Sequence, residues 1–230
     1  MLKVLLLQPC AEMSLVQGYN PGLSECLGIG YIAAYLKERG IDVDILDANA
    51  EIIDEMEIIN RIRDKNYQVI GIPMIASQLE EIVIKLIIFL STNLIPKPYF
   101  VIGGSYATLA HLELLKQFPV INYVIRGEGE KTFYQLLLAL EEGECYPASI
   151  FGLSYRDAEG NIYVNPDRLL IDNLDSLPKP IRYNAERIAK AGRSIYIFSS
   201  RGCYGRCSFC GVKTFCRLGE QEACEASVTK

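Results

Sequence analysis

Cys203, Cys207 and Cys210 form a Cys-x3-Cys-x2-Cys run, with Phe209 immediately before the third thiol. Three thiolates on one short loop can converge on three irons of a 4Fe-4S cluster, leaving the fourth iron without a protein ligand and open to substrate. Gly202, Gly205 and Gly211 surround the three thiols, and glycine tolerates the backbone angles of a tight wrap while letting peptide N–H groups approach sulfur. Arg201, Arg206 and Lys213 add positive charge that would offset the thiolates and the cluster. Two blander readings stay open. One is a structural zinc site that recruits Cys216, although its Cys-x5-Cys step lacks the paired-knuckle spacing of most such sites. The other is a set of surface thiols that bind nothing.

Two glycine stretches lie where a strand is expected to hand over to a helix. After Gly103-Gly104, Ser105 can cap the following helix, and peptide N–H groups there could approach a phosphate or a nucleotide tail closely. The plain alternative is an ordinary strand-to-helix turn. Gly127-Glu128-Gly129-Glu130 puts two carboxylates into the first turn of a helix, which taken alone reads as dipole complement and capping. Its position at a strand's carboxyl end makes Gly127, Glu128 and Gly129 pocket candidates. Gly28-Ile29-Gly30-Tyr31-Ile32-Ala33, with Asp47 downstream, has the outline of a dinucleotide fingerprint. That fingerprint needs its glycines directly after the first strand, and here the loop from Pro9 to Cys26 intervenes, so nicotinamide or flavin binding is disfavoured. A loop of that length is often functional, and this one is expected to lie over the ligand edge of the sheet. Cys10 and Cys26 flank it and read as small buried thiols. The single histidine, His111, reads as a helix-face residue, and one histidine argues against His-rich metal sites and histidine-based catalytic triads.

The elements that must position these residues follow from periodicity. Strand patterns at Val4–Leu7, Ile41–Asp47, Val69–Ile72, Tyr99–Ile102 and Tyr123–Ile125 alternate with helical patterns around Ile29–Leu36, Ala50–Arg63, Gln78–Leu90, Tyr106–Gln117 and Glu130–Leu140. Five strands each followed by a helix predict an α/β fold, a doubly wound five-stranded parallel sheet whose ligand edge lies at the strands' carboxyl ends. After Gly143, residues Leu153–Val164 read as a β-hairpin, Leu177-Pro178-Lys179-Pro180 as a stiff linker, and Ser194–Phe198 as a strand running into the cysteine loop.

Composition narrows the classes. At roughly 150 residues per domain, 230 residues predict one complete domain and a smaller or incomplete second one. Half of the residues are hydrophobic and 22% are charged, enough apolar material for a core. A formal net charge of −5 argues against nucleic acid as a main partner, although residues from Arg201 onward reverse the sign locally. The apolar start at Val4–Leu7 is too short for a secretory core, and Ile82–Leu90, interrupted by Lys85, falls short of the ~20 residues a membrane span requires. No membrane span and a cytoplasmic location are therefore expected. In that compartment clustered thiols are more often metal ligands or catalytic groups than disulfides.

The Cys203-x3-Cys207-x-Phe209-Cys210 signature resembles that of radical S-adenosylmethionine (radical SAM) enzymes. Three stretches resemble the cobalamin-binding, Rossmann-like domain at the amino terminus of one large branch of them: Leu27–Leu36 leading to Asp47, Ile102–Thr108, and Val124–Thr132. The resemblance implies a cobalamin-dependent enzyme, catalysing methyl transfer or a radical rearrangement, with a 4Fe-4S cluster on Cys203, Cys207 and Cys210. It implies S-adenosylmethionine and cobalamin as further cofactors, with the corrin near Gly103, Gly104, Ser105, Gly127, Glu128 and Gly129. A small-molecule substrate and an electron-donor protein would be the partners. Relatives that place a histidine on cobalt carry Asp-x-His-x-x-Gly after the first strand, and the absence of that motif here implies cobalt bearing neither a histidine nor the nucleotide base. The implied layout is a cobalamin-binding domain over 1–142, a linker with a β-hairpin over 143–192, and the start of a radical SAM barrel over 193–230. The family's barrel needs more βα units than the residues after Lys213 can form, so an incomplete barrel, loose residues from 194 onward and a chain inactive by itself are expected. The rival expectation is a non-catalytic cobalamin-binding module or a fragment of a longer radical SAM protein.

Overall fold

Val4, Leu5, Leu6 and Leu7 are all buried, so the first strand, β1 (Lys3–Gln8), has apolar neighbours on both faces, as a central parallel strand must. In the computed structural model, which describes residues 2–10, 24–203, 205 and 207–212, β1 pairs in parallel with β2 (Asp42–Asp47) on one side and with β3 (Val69–Pro73) on the other. The sheet continues in parallel through β4 (Tyr99–Gly103) and β5 (Tyr123–Ile125). Strand order therefore reverses between β1 and β3, where open α/β sheets form a crevice outside the carboxyl ends of their strands.

Two apolar layers fill the faces. Helices α1 (Leu27–Glu38) and α6 (Gly129–Glu141) pack Ile29, Ala33, Leu36, Phe133 and Leu137 against Val4, Leu6, Val43 and Val101. On the other face α3 (Glu55–Lys65), α4 (Glu80–Asn93) and α5 (Ser105–Gln117) cover Leu5, Leu7, Ile70 and Ile102. The doubly wound parallel sheet expected from the alternating pattern is present.

Three features differ from expectation. The helix expected over 50–63 is two helices, α2 (Ala48–Glu51) and α3, because Asp47 and Asp54 each accept a hydrogen bond from an N–H three residues on, at 2.9 Å, and start separate helices. The hairpin is no free linker. Its strands β6 (Leu153–Arg156) and β7 (Ile162–Val164) join antiparallel beyond β5, where buried Tyr155 stands opposite Tyr123, and extend the sheet to seven strands. Finally, residues 194–198 form no strand: Tyr196, Ile197 and Phe198 are exposed, with no ladder beside them among the described residues. Before them runs α7 (Ala185–Lys190). Among the described residues no helix is long and apolar enough to cross a membrane.

Candidate functional site at the carboxyl edge of the sheet

The turns that end β3, β4 and β5 are stitched together by hydrogen bonds. Met74 N–H donates to Gly103 O at 2.7 Å, Ala107 N–H to Met74 O at 3.1 Å, and the Ser105 hydroxyl to Ile75 O at 2.7 Å. Ser105 is thus the first residue of α5 and ties it to the β3 turn. The N-cap is Gly104, and the capping role expected of Ser105 is absent. Gly104 has φ of 106° and ψ of 175°, a region essentially closed to other residues, and a Cβ there would lie 3.0 Å from Met74 O. The buried Thr108 hydroxyl donates to Gly104 O at 2.8 Å and accepts from Gly127 N–H at 3.1 Å, joining the β4 and β5 turns. Sequence reasoning passed over Thr108; the signal was its place four residues after a strained glycine, where a threonine hydroxyl bonds back.

Glu130 is buried, Glu128 is partly buried with a side chain only 8% exposed, and both are already engaged. Glu128 accepts from Arg201 at 2.9 Å and from Ile171 N–H at 2.6 Å, and Glu130 accepts from Arg201 at 2.7 Å. Arg201, expected to offset a cluster's charge, is neutralised by these carboxylates. Gly129 packs against α1, its Cβ position lying 3.2 Å from Ile32.

A strap over residues 181–187 closes the β1–β2 side. Ile181 N–H donates to Gly30 O at 3.1 Å, and a Cβ on Gly30 would stand 2.6 Å from Ile181 O, so Gly30 seats the strap and not a pyrophosphate. Tyr183 bonds Gln8 and Cys26, Asn184 bonds Asp47 and Glu25, and Arg182 pairs with Glu25 at 2.8 Å. Burial pushes the Asp47 carboxyl up to about 6, against the opposing pull of the Ala50 N–H and the Asn184 amide. The acid a dinucleotide ribose would need is thereby occupied. Burial likewise raises the Cys26 thiol, which disfavours its thiolate, and Cys10 is buried.

The cysteine loop lies beyond Arg201. Gly202 turns it at φ of 85°, Gly205 N–H donates to Cys203 Sγ at 3.3 Å, and Cys210 N–H donates to Cys207 O at 3.2 Å. The sulfurs of Cys203 and Cys207 lie 3.3 and 3.8 Å from where a Gly205 side chain would begin, and Gly211 packs on Leu109 of α5. Of the three glycines expected to need unusual angles, only Gly202 has positive φ. Among the described residues no three metal-capable side chains are gathered into a ligand set. Arg206, Lys213, Cys216 and most of the Pro9–Cys26 loop lie outside the described residues.

His111 lies midway along α5, its Nδ1 3.1 Å from the Ser154 hydroxyl of β6. Burial and the charge of Arg126 push it down to about 4, so it is neutral at pH 7. A recess of about 220 Å³ lined by Tyr67, Leu94, Pro96 and Pro98 opens at the amino ends of β3 and β4, the opposite edge from these turns.

The B12 binding domain family matches residues 21–137. An uncharacterised methyltransferase of Pyrococcus horikoshii is 30% identical over 216 residues, covering 91% of this chain and 45% of that protein. Cytidylyl-2-hydroxyethylphosphonate methyltransferase of Streptomyces wedmorensis is 30% identical over 267 residues, covering 93% of this chain and 48% of that protein. The chain thus spans about half the length of these relatives. Among solved structures, the cobalamin-dependent S-adenosylmethionine radical enzyme OxsB, with aqua-cobalamin and S-adenosylmethionine bound, superposes with a TM-score of 0.76 at 20% identity, over 91% of this chain and 28% of that one.

Proposed function

Because the chain belongs to the B12-binding domain family and is homologous to methyltransferases, we propose that it forms the cobalamin-binding and cluster-binding part of a cobalamin-dependent radical SAM enzyme. The reaction is methyl transfer or a radical rearrangement on a small molecule, with electrons from a donor protein. One observation carries this reading: the cysteine loop rests on the same carboxyl-edge turns that a doubly wound sheet offers to a ligand, through Arg201 on Glu128 and Glu130 and through Gly211 on Leu109.

The residues fit the groups. Gly103, Gly104, Ser105 and Gly127 bring main chain to the carboxyl-edge turns, where they would border the nucleotide tail of a corrin. Gly129 lets α6 close on Ile32 of α1, and Glu128 and Gly129 would shape the same turn. Glu128, committed to Arg201 and Ile171, acts there by holding the turn. The sulfurs of Cys203 and Cys207 both lie beside Gly205 and Cys210 follows three residues on, so one short loop carries three thiols that would hold three irons of a cluster. When bound, the cluster supplies the electron that cleaves S-adenosylmethionine and the cobalamin supplies a methyl group; the protein orients them and shields the site. A second reading, a non-catalytic cobalamin-binding module or a portion of a longer radical SAM protein, is favoured by the 45% and 48% coverage of the relatives.

Anaerobic reconstitution with iron and sulfide, followed by cobalamin titration, tests both. We expect about one 4Fe-4S cluster per chain, lost in Cys203→Ala, Cys207→Ala and Cys210→Ala and retained in Cys145→Ala. Stoichiometric zinc without cluster uptake would overturn the iron–sulfur assignment. Cobalamin uptake without cleavage of S-adenosylmethionine would favour the second reading. His111→Ala should leave the corrin spectrum unchanged; a nitrogen-on-cobalt spectrum that this substitution abolishes would refute the cobalt assignment.

A further inference from the structure

Arg201 stands two residues before Cys203 and is held from three sides. Its two terminal nitrogens lie 2.9 and 2.7 Å from carboxylate oxygens of Glu128 and Glu130, and its guanidinium carbon lies 4.9 Å from the centre of the Tyr31 ring. The carboxylate side chains are 8% and 5% exposed, so removing the cation would leave two buried charges close together, a far larger penalty than losing a surface ion pair. The planar fork of arginine reaches both acids at once, which an ammonium group does poorly. Tyr31 is shared: Phe198 stacks on it with ring centroids 6.4 Å apart and ring planes 3° from parallel.

This anchorage has an unusual setting. The residues just before it, 194–198, belong to no sheet, and those after it enter the cysteine loop through Gly202 in the left-handed region. Only that glycine separates the anchored residue from the first thiol, and two residues span at most about 7 Å of chain. The acids, in turn, open α6 directly after β5, the strand whose turn is bonded to Gly104 through Thr108.

We infer that Arg201 is a positioning residue: clamped by Glu128 and Glu130 on the Tyr31 ring, it sets the distance and orientation of the cluster-binding loop relative to the carboxyl-edge turns, and so of the cluster relative to the corrin. The second half of this inference rests on the function proposed above, and the first half does not.

The test exploits the absence of tryptophan from the chain, which lets Phe198→Trp serve as a sole reporter beside the clamp. Arg201→Met by itself strands two buried acids, so the decisive variant is Arg201→Met with Glu128→Gln and Glu130→Gln, which removes all three charges together; circular dichroism and melting verify its fold. In the cofactor-free protein we expect the fast, nanosecond part of the tryptophan anisotropy decay to rise about twofold or more on loss of the clamp, with Arg201→Lys in between. An unchanged decay in the triple variant would overturn the clamp. In protein carrying the cluster and cob(II)alamin, dipolar EPR should give a narrow cluster-to-cobalt distance for the native sequence and a broadened or shifted one for the triple variant, at unchanged cofactor stoichiometry. An unchanged distance would overturn the positioning role. Should the native chain take up neither cofactor, the proposed function falls, and the anisotropy result still decides the clamp.

Discussion

Asp47 ends β2 only 3% exposed, bonded to the Ala50 N–H and the Asn184 amide, with its carboxyl raised to about 6 chiefly by burial. A carboxyl raised above its unfolded value favours the protonated native state. Its contribution is therefore fully present below about pH 4 and is lost as pH climbs through about 6. Asp47→Asn cannot ionise and should gain on the native protein by about 2 kcal/mol between pH 4 and pH 7, read as the difference in urea midpoints across that range. An offset independent of pH would mean that Asp47 titrates normally. The paired glycines make a second contrast. Gly104→Ala forces a side chain into φ of 106° against Met74 O and should cost about 1–3 kcal/mol. Gly103→Ala, whose nearest neighbour would stand at an ordinary 3.6 Å, should cost less than about 1 kcal/mol in the same titration. Both glycines were visible in the sequence as a turn, but which one is constrained depends on Met74, a residue on another strand's turn.

The hairpin belongs to the same sheet as the five parallel strands. β5 is three residues long, and half of its ladder comes from β6. Arg126, 6% exposed just after β5, forms an ion pair with Asp167 and donates to Asn165 O, both beyond the hairpin. A chain ending at residue 142 would leave β5 as a bare edge and strip those partners from a buried guanidinium, inviting edge pairing between molecules. We expect residues 1–142 to aggregate or to melt several degrees below residues 1–192, as gel filtration and thermal denaturation would register. Equal melting temperatures would show that residues 1–142 suffice for the fold. The central parallel strands were legible because burial on both faces writes near-continuous apolar runs, the edge strand β2 because Asp42 and Asp44 alternate with apolar residues, and β5 lies at Tyr123–Ile125 as read. The hairpin was also legible, but its partner was not: Tyr123 meets Tyr155 across 31 intervening residues whose own pattern carries no register. Residues 194–198 had the apolar run of a strand, yet a strand exists only where a neighbour supplies its ladder.

At the scale of the whole molecule, residues beyond the hairpin divide into tied and untied stretches, a division invisible in composition. The sequence alone pointed to a linker over 143–192 with everything from 194 onward loose. Arg182 instead pairs with Glu25 and donates to Tyr196 O, while Arg187 donates to Ala50 O, each contact bridging stretches far apart in the chain except that to Tyr196. Arg201 is clamped by its two acids across 73 and 71 residues of sequence. Charge patterns show that such residues are present, but only the fold chooses their partners. Arg193 differs, since it follows the short helix α7 and leads into exposed residues 194–198 that no ladder holds. Proteases need several residues of chain to open, so cleavage follows the local opening equilibrium and not mere exposure of one arginine. Within residues 143–203, trypsin should therefore cut first after Arg193, about tenfold or more ahead of Arg182 and Arg201, each of which must first break ion pairs and hydrogen bonds. A mass-spectrometric time course under native conditions would resolve the order. First appearance of a product ending at Arg182 would show that the strap opens as readily as the exposed residues after Arg193, and that Glu25, Asp47 and Tyr183 do not hold it to the sheet.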